Sequence, residues 1–257
     1  MGMELQLEGK TALVTGASQG IGRGSAKCLA AEGVKVLLAA RRENLLKELA
    51  DEIEAEGGVR PETIGVDLLE PRAAYKLKDE ALKILGHVDI LVNSAGRSKN
   101  PNMPGNMPFD APDDVWDTEM LINYGVIRQL SLALVPSMVE QRYGRIINIT
   151  GKTEPRDMRT ANPPKAAAHG WAKGLSRQIA RYNVTVNSIP PGKIVSEQIL
   201  RNYSKEEMDH TSKWIATGGF GIAEDIGHLI AFLASPRARY ITGTVIPVDG
   251  GFRRYSF

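Results

Sequence analysis

A chain of 257 residues with 42% hydrophobic content can bury one sizeable core, so we expect a single domain over residues 1–257. Its 32 basic and 30 acidic residues leave a net charge of +2 without long charged runs, which argues against a nucleic-acid-binding protein. The lone cysteine, Cys28, excludes an intrachain disulfide, and no apolar run has the length of a signal peptide or membrane span, so we expect a cytoplasmic protein with no membrane partner.

Short β-rich runs alternate with longer runs of helical pattern along the chain. The predicted strands are Ala12–Thr15, Val34–Ala40, Thr63–Val66, Val88–Asn93, Arg145–Ile149, Val184–Ile189 and Thr244–Val248. Almost continuously apolar strands that alternate with helices indicate a parallel sheet covered on both faces. The sequence therefore predicts an α/β fold of Rossmann type, a doubly wound parallel sheet of about seven strands flanked by helices.

A glycine-rich turn follows the first predicted strand directly and opens a helical run. Its sequence is Thr15-Gly16-Ala17-Ser18-Gln19-Gly20-Ile21-Gly22. Glycines let the backbone approach a pyrophosphate, and the helix N-terminus supplies free N–H groups and partial positive charge. The spacing is GxxxGxG rather than GxGxxG, so the position between strand and helix carries the prediction. This turn predicts a dinucleotide-binding site.

The end of the second predicted strand indicates which dinucleotide binds. NAD-preferring folds place a carboxylate there to hold the adenosine ribose, whereas this sequence has Ala39-Ala40-Arg41-Arg42. The Arg41 guanidinium matches the geometry of a 2′-phosphate, although two solvated arginines at a helix start are the simpler alternative. We therefore predict NADP(H) as cofactor, with NAD(H) less favoured.

Two irregular segments stand outside the strand and helix pattern. The segment Arg97–Pro112 contains four prolines, and its Met103, Met107 and Phe109 either line a pocket or pack on the surface. The segment Ser196–Gly219 is polar and partly helical and has the position of a lid.

Further segments, in order along almost the whole chain, resemble the short-chain dehydrogenase/reductase family and its 3-oxoacyl-acyl carrier protein reductases in particular. Asp67 is similar to an adenine-contacting aspartate after the third strand, and Asn93-Ser94-Ala95-Gly96 is similar to the NNAG motif after the fourth. Three more segments are similar to features of the family. Gly144–Ile149 resembles its fifth strand, Val184–Gly192 its sixth strand with the following Pro-Gly turn, and Val248–Gly251 its C-terminal motif.

The resemblance implies roles for individual residues. The implied cofactor-binding residues are Gly16, Ser18, Gln19, Gly20, Ile21, Gly22, Arg41, Arg42, Asp67, Leu68, Asn93, Ala95, Gly96, Lys165, Pro191, Gly192 and Ile194. The implied catalytic residues are Asn123, which orders a water, and Lys165, which holds the nicotinamide ribose. The resemblance also implies a small carbonyl or alcohol substrate, with 3-oxoacyl compounds as the default, and a homotetramer formed through helices starting near Asp113 and Pro163.

Two positions depart from the family pattern. Counting from the fifth and sixth strands places Gly151 at the serine that polarises the carbonyl and Ala161 at the tyrosine four residues before Lys165. In the family the lysine lowers the pKa of that tyrosine, which gives or takes the proton. Neither Gly151 nor Ala161 has a side chain that donates a hydrogen bond.

A replacement proton donor must therefore come from elsewhere, and water, a substrate group or a threonine are the open choices. The candidate threonines are Thr150, Thr153 and Thr160, although strand alternation turns Thr150 away from the face of its neighbour. Two tyrosines lie in plausible regions, Tyr124 beside Asn123 and Tyr203 in the possible lid. We favour helix packing as the explanation of Tyr124 and plain surface exposure as that of Tyr203.

Three functional hypotheses remain open on the sequence alone. The favoured one is an NADP(H)-dependent oxidoreductase that moves hydride between cofactor and a carbonyl or alcohol, with an atypical active site. The second is a catalytically inert NADP(H)-binding protein, either a sensor or an inactive subunit, and the third is a lyase or isomerase on the same scaffold. The histidines have no partner at metal-ligand spacing, so no metal is predicted.

Overall fold

The computed structural model describes residues 4–97, 110–151 and 159–253. Met103, Met107 and Phe109, which were considered as pocket residues, and Thr153, a candidate proton donor, lie outside these residues.

One parallel sheet organises the described chain, with strand order β3-β2-β1-β4-β5-β6. The strands are β1 (Thr11–Thr15), β2 (Lys35–Ala40), β3 (Glu62–Gly65), β4 (Ile90–Asn93), β5 (Gly144–Ile149) and β6 (Val184–Ile189). In the register of the sheet, Leu13 of β1 lies opposite Leu37 of β2 on one side and Leu91 of β4 on the other. The order reverses beside β1, which confirms the predicted doubly wound fold and marks the edge where ligands bind in such sheets.

Helices cover both faces of the sheet. They are α1 (Gly20–Ala31), α2 (Glu43–Ala55), α3 (Ala73–Leu85), α4 (Asp113–Met120), α5 (Val126–Gln141), α6 (Asn162–Ile179), α7 (Glu197–Asn202), α8 (Lys205–Ser212) and α9 (Ala223–Ala234). A π-helical turn, Leu121–Gly125, joins α4 to α5. No helix within the described ranges is both long and apolar enough to cross a lipid bilayer.

The alternation of side chains along β1 shows why two cores form. Ala12 and Val14 point into a cluster shared with α1, α2 and α9, whereas Leu13 points into a cluster shared with α3, α5 and α6. Successive strand residues face opposite sides of a sheet, so an apolar strand such as this one requires helices on both faces.

The prediction of a seventh strand, Thr244–Val248, was wrong. This segment runs parallel to β6 but makes only isolated bridges, Ser188 with Val245 and Pro191 with Val248. One backbone donor of β6 bonds to a side chain instead of to backbone: Val186 N donates to Thr242 Oγ1 at 3.0 Å. Pro190, which follows β6, has no N–H to donate, so the ladder is interrupted there, although Gly192 N donates to Val248 O at 2.8 Å beyond it. The described sheet therefore has six strands rather than seven.

Candidate active site

A cavity of about 630 Å³ opens at the carboxyl ends of the strands. Its walls are formed by the segments that follow all six strands, as expected at the switch point of a doubly wound sheet. The predicted cofactor-binding residues that line it are Gly16, Ser18, Gln19, Gly20, Ile21, Gly22, Arg41, Arg42, Asp67, Leu68, Ala95, Gly96, Lys165, Pro191, Gly192 and Ile194.

Asn93 is the predicted cofactor residue that the structure does not place in the cavity wall. Its side chain is buried behind the wall and donates to Ser131 Oγ at 3.2 Å and to Asn148 Oδ1 at 2.9 Å. This amide links β4 to β5 and α5, so the structure gives it a role in fixing the turn after β4 rather than a direct place in the cavity.

The phosphate cradle, defined as Gly16–Gly22, is packed so tightly that side chains are excluded at two of its glycines. Gly16 has φ +66°, and an added Cβ there would lie 2.9 Å from the Ala95 backbone. An added Cβ at Gly22 would lie 2.4 Å from the Gly16 carbonyl oxygen. Helix α1 begins at Gly20, and no side-chain hydrogen bond caps its first turn. The cradle therefore offers backbone N–H groups to an anion, as a dinucleotide pyrophosphate requires.

The adenosine end of the cavity carries two arginines. Arg42 Nη2 donates to Ser18 Oγ at 3.1 Å and to Gln19 Oε1 at 2.6 Å, so it is tied to the cradle. Arg41 is largely exposed, with Nη1 4.0 Å from Asp67 Oδ2, and its guanidinium is accessible to a ligand. Two cations beside the cradle fit the 2′-phosphate of NADP(H), because guanidinium groups bind phosphate bidentately.

The whole cavity is strongly basic. Among the described residues that line it, the basic ones are Arg41, Arg42, Arg97, Arg159, Lys165 and Lys193, and Asp67 is the one acidic residue. An anionic ligand is therefore favoured at both ends of the cavity, not only at the cradle.

A buried carboxylate, Glu119, organises the charges at the opposite end from the adenosine site. Its Oε1 forms an ion pair with Arg97 Nε at 3.0 Å, and its Oε2 accepts a hydrogen bond from Asn123 Nδ2 at 2.6 Å. Asn123 Oδ1 accepts from the Arg97 backbone N–H at 3.1 Å. Asn123 therefore fixes the segment after β4, and the cavity lining does not include it.

Burial acts on both titratable groups of this cluster. It raises the pKa of Glu119, an effect opposed by Arg97, by the Asn123 hydrogen bond and by Lys165. Burial also lowers the pKa of Lys165 to about 8, and the nearby Glu119 carboxylate opposes this shift. Lys165 is thus mainly protonated at neutral pH, with a pKa only slightly above that pH.

Comparison with known proteins identifies the family. A family model described as enoyl-(acyl carrier protein) reductase matches residues 16–253. The chain is 34% identical over 250 residues to the 3-oxoacyl-[acyl-carrier-protein] reductase of Escherichia coli (strain K12), covering 96% of this chain and 98% of that protein. The chain belongs to the short-chain dehydrogenase/reductase family.

Two solved members of this family show the same architecture. The L-sorbose reductase of Gluconobacter frateurii, solved with NADPH and L-sorbose, is 28% identical with a TM-score of 0.89, covering 99% of this chain and 100% of that one. YwfH, an NADPH-dependent reductase involved in bacilysin biosynthesis, is 26% identical with a TM-score of 0.86, covering 96% and 99%. The predicted family, the predicted class of oxidoreductase and the predicted NADP(H) cofactor are thereby confirmed.

The two departures from the family pattern have a structural context in this member. At Gly151, an added Cβ would lie 2.8 Å from Lys165 Cδ, so the lysine stem occupies the space in which a side chain at position 151 would begin. Ala161 is buried just before α6 and is not among the residues that line the cavity. The absence of the serine side chain and the position of Lys165 are therefore coupled.

The threonines are poor replacements for the missing tyrosine in the described structure. Thr150 lines the cavity but is largely buried, and its hydroxyl is hydrogen-bonded to His169 Nε2 at 2.6 Å. Thr160 is also buried and is absent from the cavity lining. Tyr124 packs edge-on against Trp171 with ring centroids 6.4 Å apart, which confirms helix packing as its explanation.

Tyr203 is the cavity residue that the sequence reasoning misjudged. The expectation of a plainly exposed aromatic was wrong, because Tyr203 is half-buried, lines the cavity and accepts a hydrogen bond from Lys193 Nζ. Arg97 and Glu119 were also missed. The four-residue spacing of Glu119 and Asn123 on one helical segment was the available signal, since side chains four apart meet on a helix.

Proposed function

We propose that this protein is an NADPH-dependent reductase of ketones, with 3-oxoacyl thioesters as the first substrate class to test. The carrying observation is the single cavity that joins the phosphate cradle and its two arginines to a second basic region around Lys165 and Lys193. The similarity to a 3-oxoacyl-[acyl-carrier-protein] reductase supports the choice of substrate class. Acyl thioesters of coenzyme A or acyl carrier protein are phosphorylated, and a basic cavity favours such anions.

In this proposal the residues divide into holding and positioning roles. Gly16, Gly20 and Gly22 hold the pyrophosphate, and Arg41 pairs with the 2′-phosphate. Lys165 holds the nicotinamide ribose through its ammonium group. Bound NADPH supplies the hydride, and the walls of the cavity orient the ketone, because holding two reactants together removes much of the entropic cost of the reaction.

Asn123 has a supporting role in the same proposal. Its amide connects Glu119 to the backbone of Arg97, and Glu119 in turn acts on Lys165. This chain of contacts supports a function for Asn123 in positioning Lys165. We further propose that the chain acts as one domain and assembles as a homotetramer through α4 and α6.

The test is NADPH oxidation, followed by absorbance, with acetoacetyl-CoA as the thioester probe and L-sorbose as a neutral ketose. The proposal expects turnover with acetoacetyl-CoA that is lost in Gly22→Ala. Turnover should be retained in the control Arg60→Ala, since Arg60 pairs only with surface acids in the described structure. Turnover of L-sorbose without turnover of acetoacetyl-CoA would contradict 3-oxoacyl thioesters as the substrate class and would favour neutral ketoses. NADPH binding without turnover of any ketone would favour the inert binding protein, which Gly151 and Ala161 keep as the second candidate.

A further inference from the structure

Tyr203 and Lys193 come together on the wall of the cavity. Lys193 directly follows the Pro191-Gly192 turn at the end of β6, and Tyr203 is the residue that ends α7. Both residues line the cavity, and Tyr203 is the one tyrosine among its lining residues in the described part of the chain.

The contact between them is directed. The Lys193 ammonium donates a hydrogen bond to the Tyr203 hydroxyl oxygen, and Nζ also lies 4.7 Å from the centroid of the tyrosine ring. Since the lysine is the donor, the phenol proton is not used in this contact and remains available to an acceptor in the cavity. The Tyr203 ring is held on another side by Phe220, edge-on, with centroids 6.3 Å apart.

The backbone that carries the pair is anchored next to the cofactor cradle. Gly221 N donates to Lys193 O at 2.9 Å, and Val195 N donates to Gly221 O at 2.8 Å. The following residue, Ser196, caps α7 and lies so close to the cradle that a Cβ at Gly20 would be 3.4 Å from its Cβ. These contacts anchor Lys193 and the start of α7 next to the cradle, and at the other end of α7 the Tyr203 N–H donates to Ile199 O at 2.9 Å.

The other described side chains considered as proton donors have other contacts or no donor group. Lys165 also lines the cavity, but the proposed function uses its ammonium group to hold the nicotinamide ribose. Gly151 and Ala161 have no donor, and the Thr150 hydroxyl is bonded to His169. Arginine remains protonated at any physiological pH, so Arg97 and Arg159 do not exchange a proton with substrate.

We propose that Tyr203 donates the proton in ketone reduction and that Lys193 positions it, a relocated tyrosine–lysine pair reaching the substrate from the α7 side of the cavity. This inference rests on the proposed reductase function. As the carbonyl carbon accepts hydride from NADPH, the C=O π bond becomes a C–O single bond. The Tyr203 O–H bond breaks, and its proton forms the new alcohol O–H bond. The Lys193 ammonium stabilises the resulting phenolate, which recovers a proton from solvent, so one proton and one NADPH are consumed per alcohol.

The first experiment compares Tyr203→Phe with Tyr240→Phe, since Tyr240 is 93% exposed and serves as a matched control. With NADPH and acetoacetyl-CoA, Tyr203→Phe is expected to lower kcat by roughly 10²–10⁴-fold, the usual contribution of general acid catalysis. The Kd for NADPH is expected to stay within about twofold, because no cofactor contact is removed. Tyr240→Phe is expected to match wild type in both.

Substitutions of Lys193 test whether its positive charge assists Tyr203. Lys193→Met is expected to lower kcat with little change in KM, and Lys193→Arg is expected to restore part of the rate because it keeps the positive charge beside the phenol. An equal loss in the methionine and arginine variants would contradict a charge role for Lys193.

A readout without turnover uses nitration of tyrosine by tetranitromethane, located by peptide mass spectrometry. NADP⁺ with 3-hydroxybutyryl-CoA is expected to protect Tyr203 and to leave Tyr240 unprotected. A full rate in Tyr203→Phe, or equal nitration of Tyr203 with and without these ligands, overturns the inference alone. A wild-type protein that does not bind NADPH or does not reduce the ketone overturns the proposed function, so the two failures are distinguishable.

Discussion

The two ends of the cavity are built by different means. At the adenosine end, the cradle Gly16–Gly22 and the arginines after β2 are short segments of backbone and neighbouring side chains. The other end is the one that we propose to be catalytic, and we call it the catalytic end. There, Glu119 acts on Lys165 and Lys193 contacts Tyr203, and these four residues come from four separate segments of the chain. The proposed phosphate site therefore uses local backbone that is recognisable in the sequence, whereas the proposed acid–base site uses side chains that different segments can supply.

The largest expected effect comes from breaking the buried charge cluster at the catalytic end. Glu119→Gln keeps the shape of the side chain but leaves the charges of Arg97 and Lys165 without their buried partner. We expect the free energy of unfolding to fall by about 3 kcal/mol, as when one member of a buried ion pair is removed. Urea denaturation measures this loss.

The matched control for that variant is Glu52→Gln. Glu52 pairs with Arg23 and Lys27 at the surface, so its loss is expected to cost no more than about 1 kcal/mol. Equal losses in the two variants would contradict the view that Glu119 holds the catalytic end together.

The next effect is at the cradle. Gly22→Ala places a methyl group against the Gly16 carbonyl oxygen, so the cradle backbone must shift. We expect the affinity for NADPH to fall roughly 100-fold, which corresponds to about 3 kcal/mol. Fluorescence titration measures this affinity, with Arg60→Ala as the surface variant that should bind like wild type. Unchanged binding in Gly22→Ala would place the pyrophosphate elsewhere.

The dependence of the free energy of unfolding on pH tests whether His169 is held neutral by burial. Burial and the positive charge of Arg253 lower the pKa of His169 to about 4, below the value near 6.5 of an unfolded chain. The unfolded state therefore binds more protons between these values, and stability is lost as the pH falls from 6.5 to 4. Relative to His169→Gln, wild type should lose about 2 to 3 kcal/mol between pH 7 and pH 4.

His228→Gln provides the comparison for this pH series, since His228 is exposed on α9. Its unfolding free energy should follow wild type at every pH. Parallel curves for wild type and His169→Gln would show that His169 is not held neutral by burial.

A smaller effect is expected when the missing serine is restored. Gly151→Ser introduces a Cβ that would lie 2.8 Å from Lys165 Cδ, so the lysine stem must move. A packing conflict of about 1 kcal/mol corresponds to roughly fivefold weaker NADPH binding, without a gain in turnover. Increased turnover in Gly151→Ser would show that the serine position is still functional and would weaken the case for Tyr203.

The sequence predicted the fold and the adenosine end well because both depend on local patterns. Apolar strands, the glycine-rich turn and the arginines after β2 each lie within a few consecutive residues, and the structure places them around one cavity. The segment Thr244–Val248 was predicted as a strand on the same grounds. Strand pairing also needs N–H donors on the neighbouring strand, and the prolines after β6 do not supply them.

The contacts at the other end of the cavity were not predicted from the sequence because they are not local. Nothing in the spacing of Lys193 and Tyr203 shows that a helix, α7, folds back to bring them together. Similarly, Asn93 looks like a cofactor residue in its motif, yet the strand pleat turns its side chain towards Ser131 and Asn148.

The most direct test of the account is a paired titration of wild type with NADPH and NADH, following energy transfer from tryptophan, beside Arg41→Ala and the distant control Arg60→Ala. The account predicts that wild type prefers NADPH and that Arg41→Ala loses about tenfold in NADPH affinity, near 1.4 kcal/mol, with NADH unaffected. Arg60→Ala should behave as wild type, because Arg60 pairs only with surface acids in the described structure. Equal binding of the two nucleotides by wild type, or binding of neither, would contradict the account.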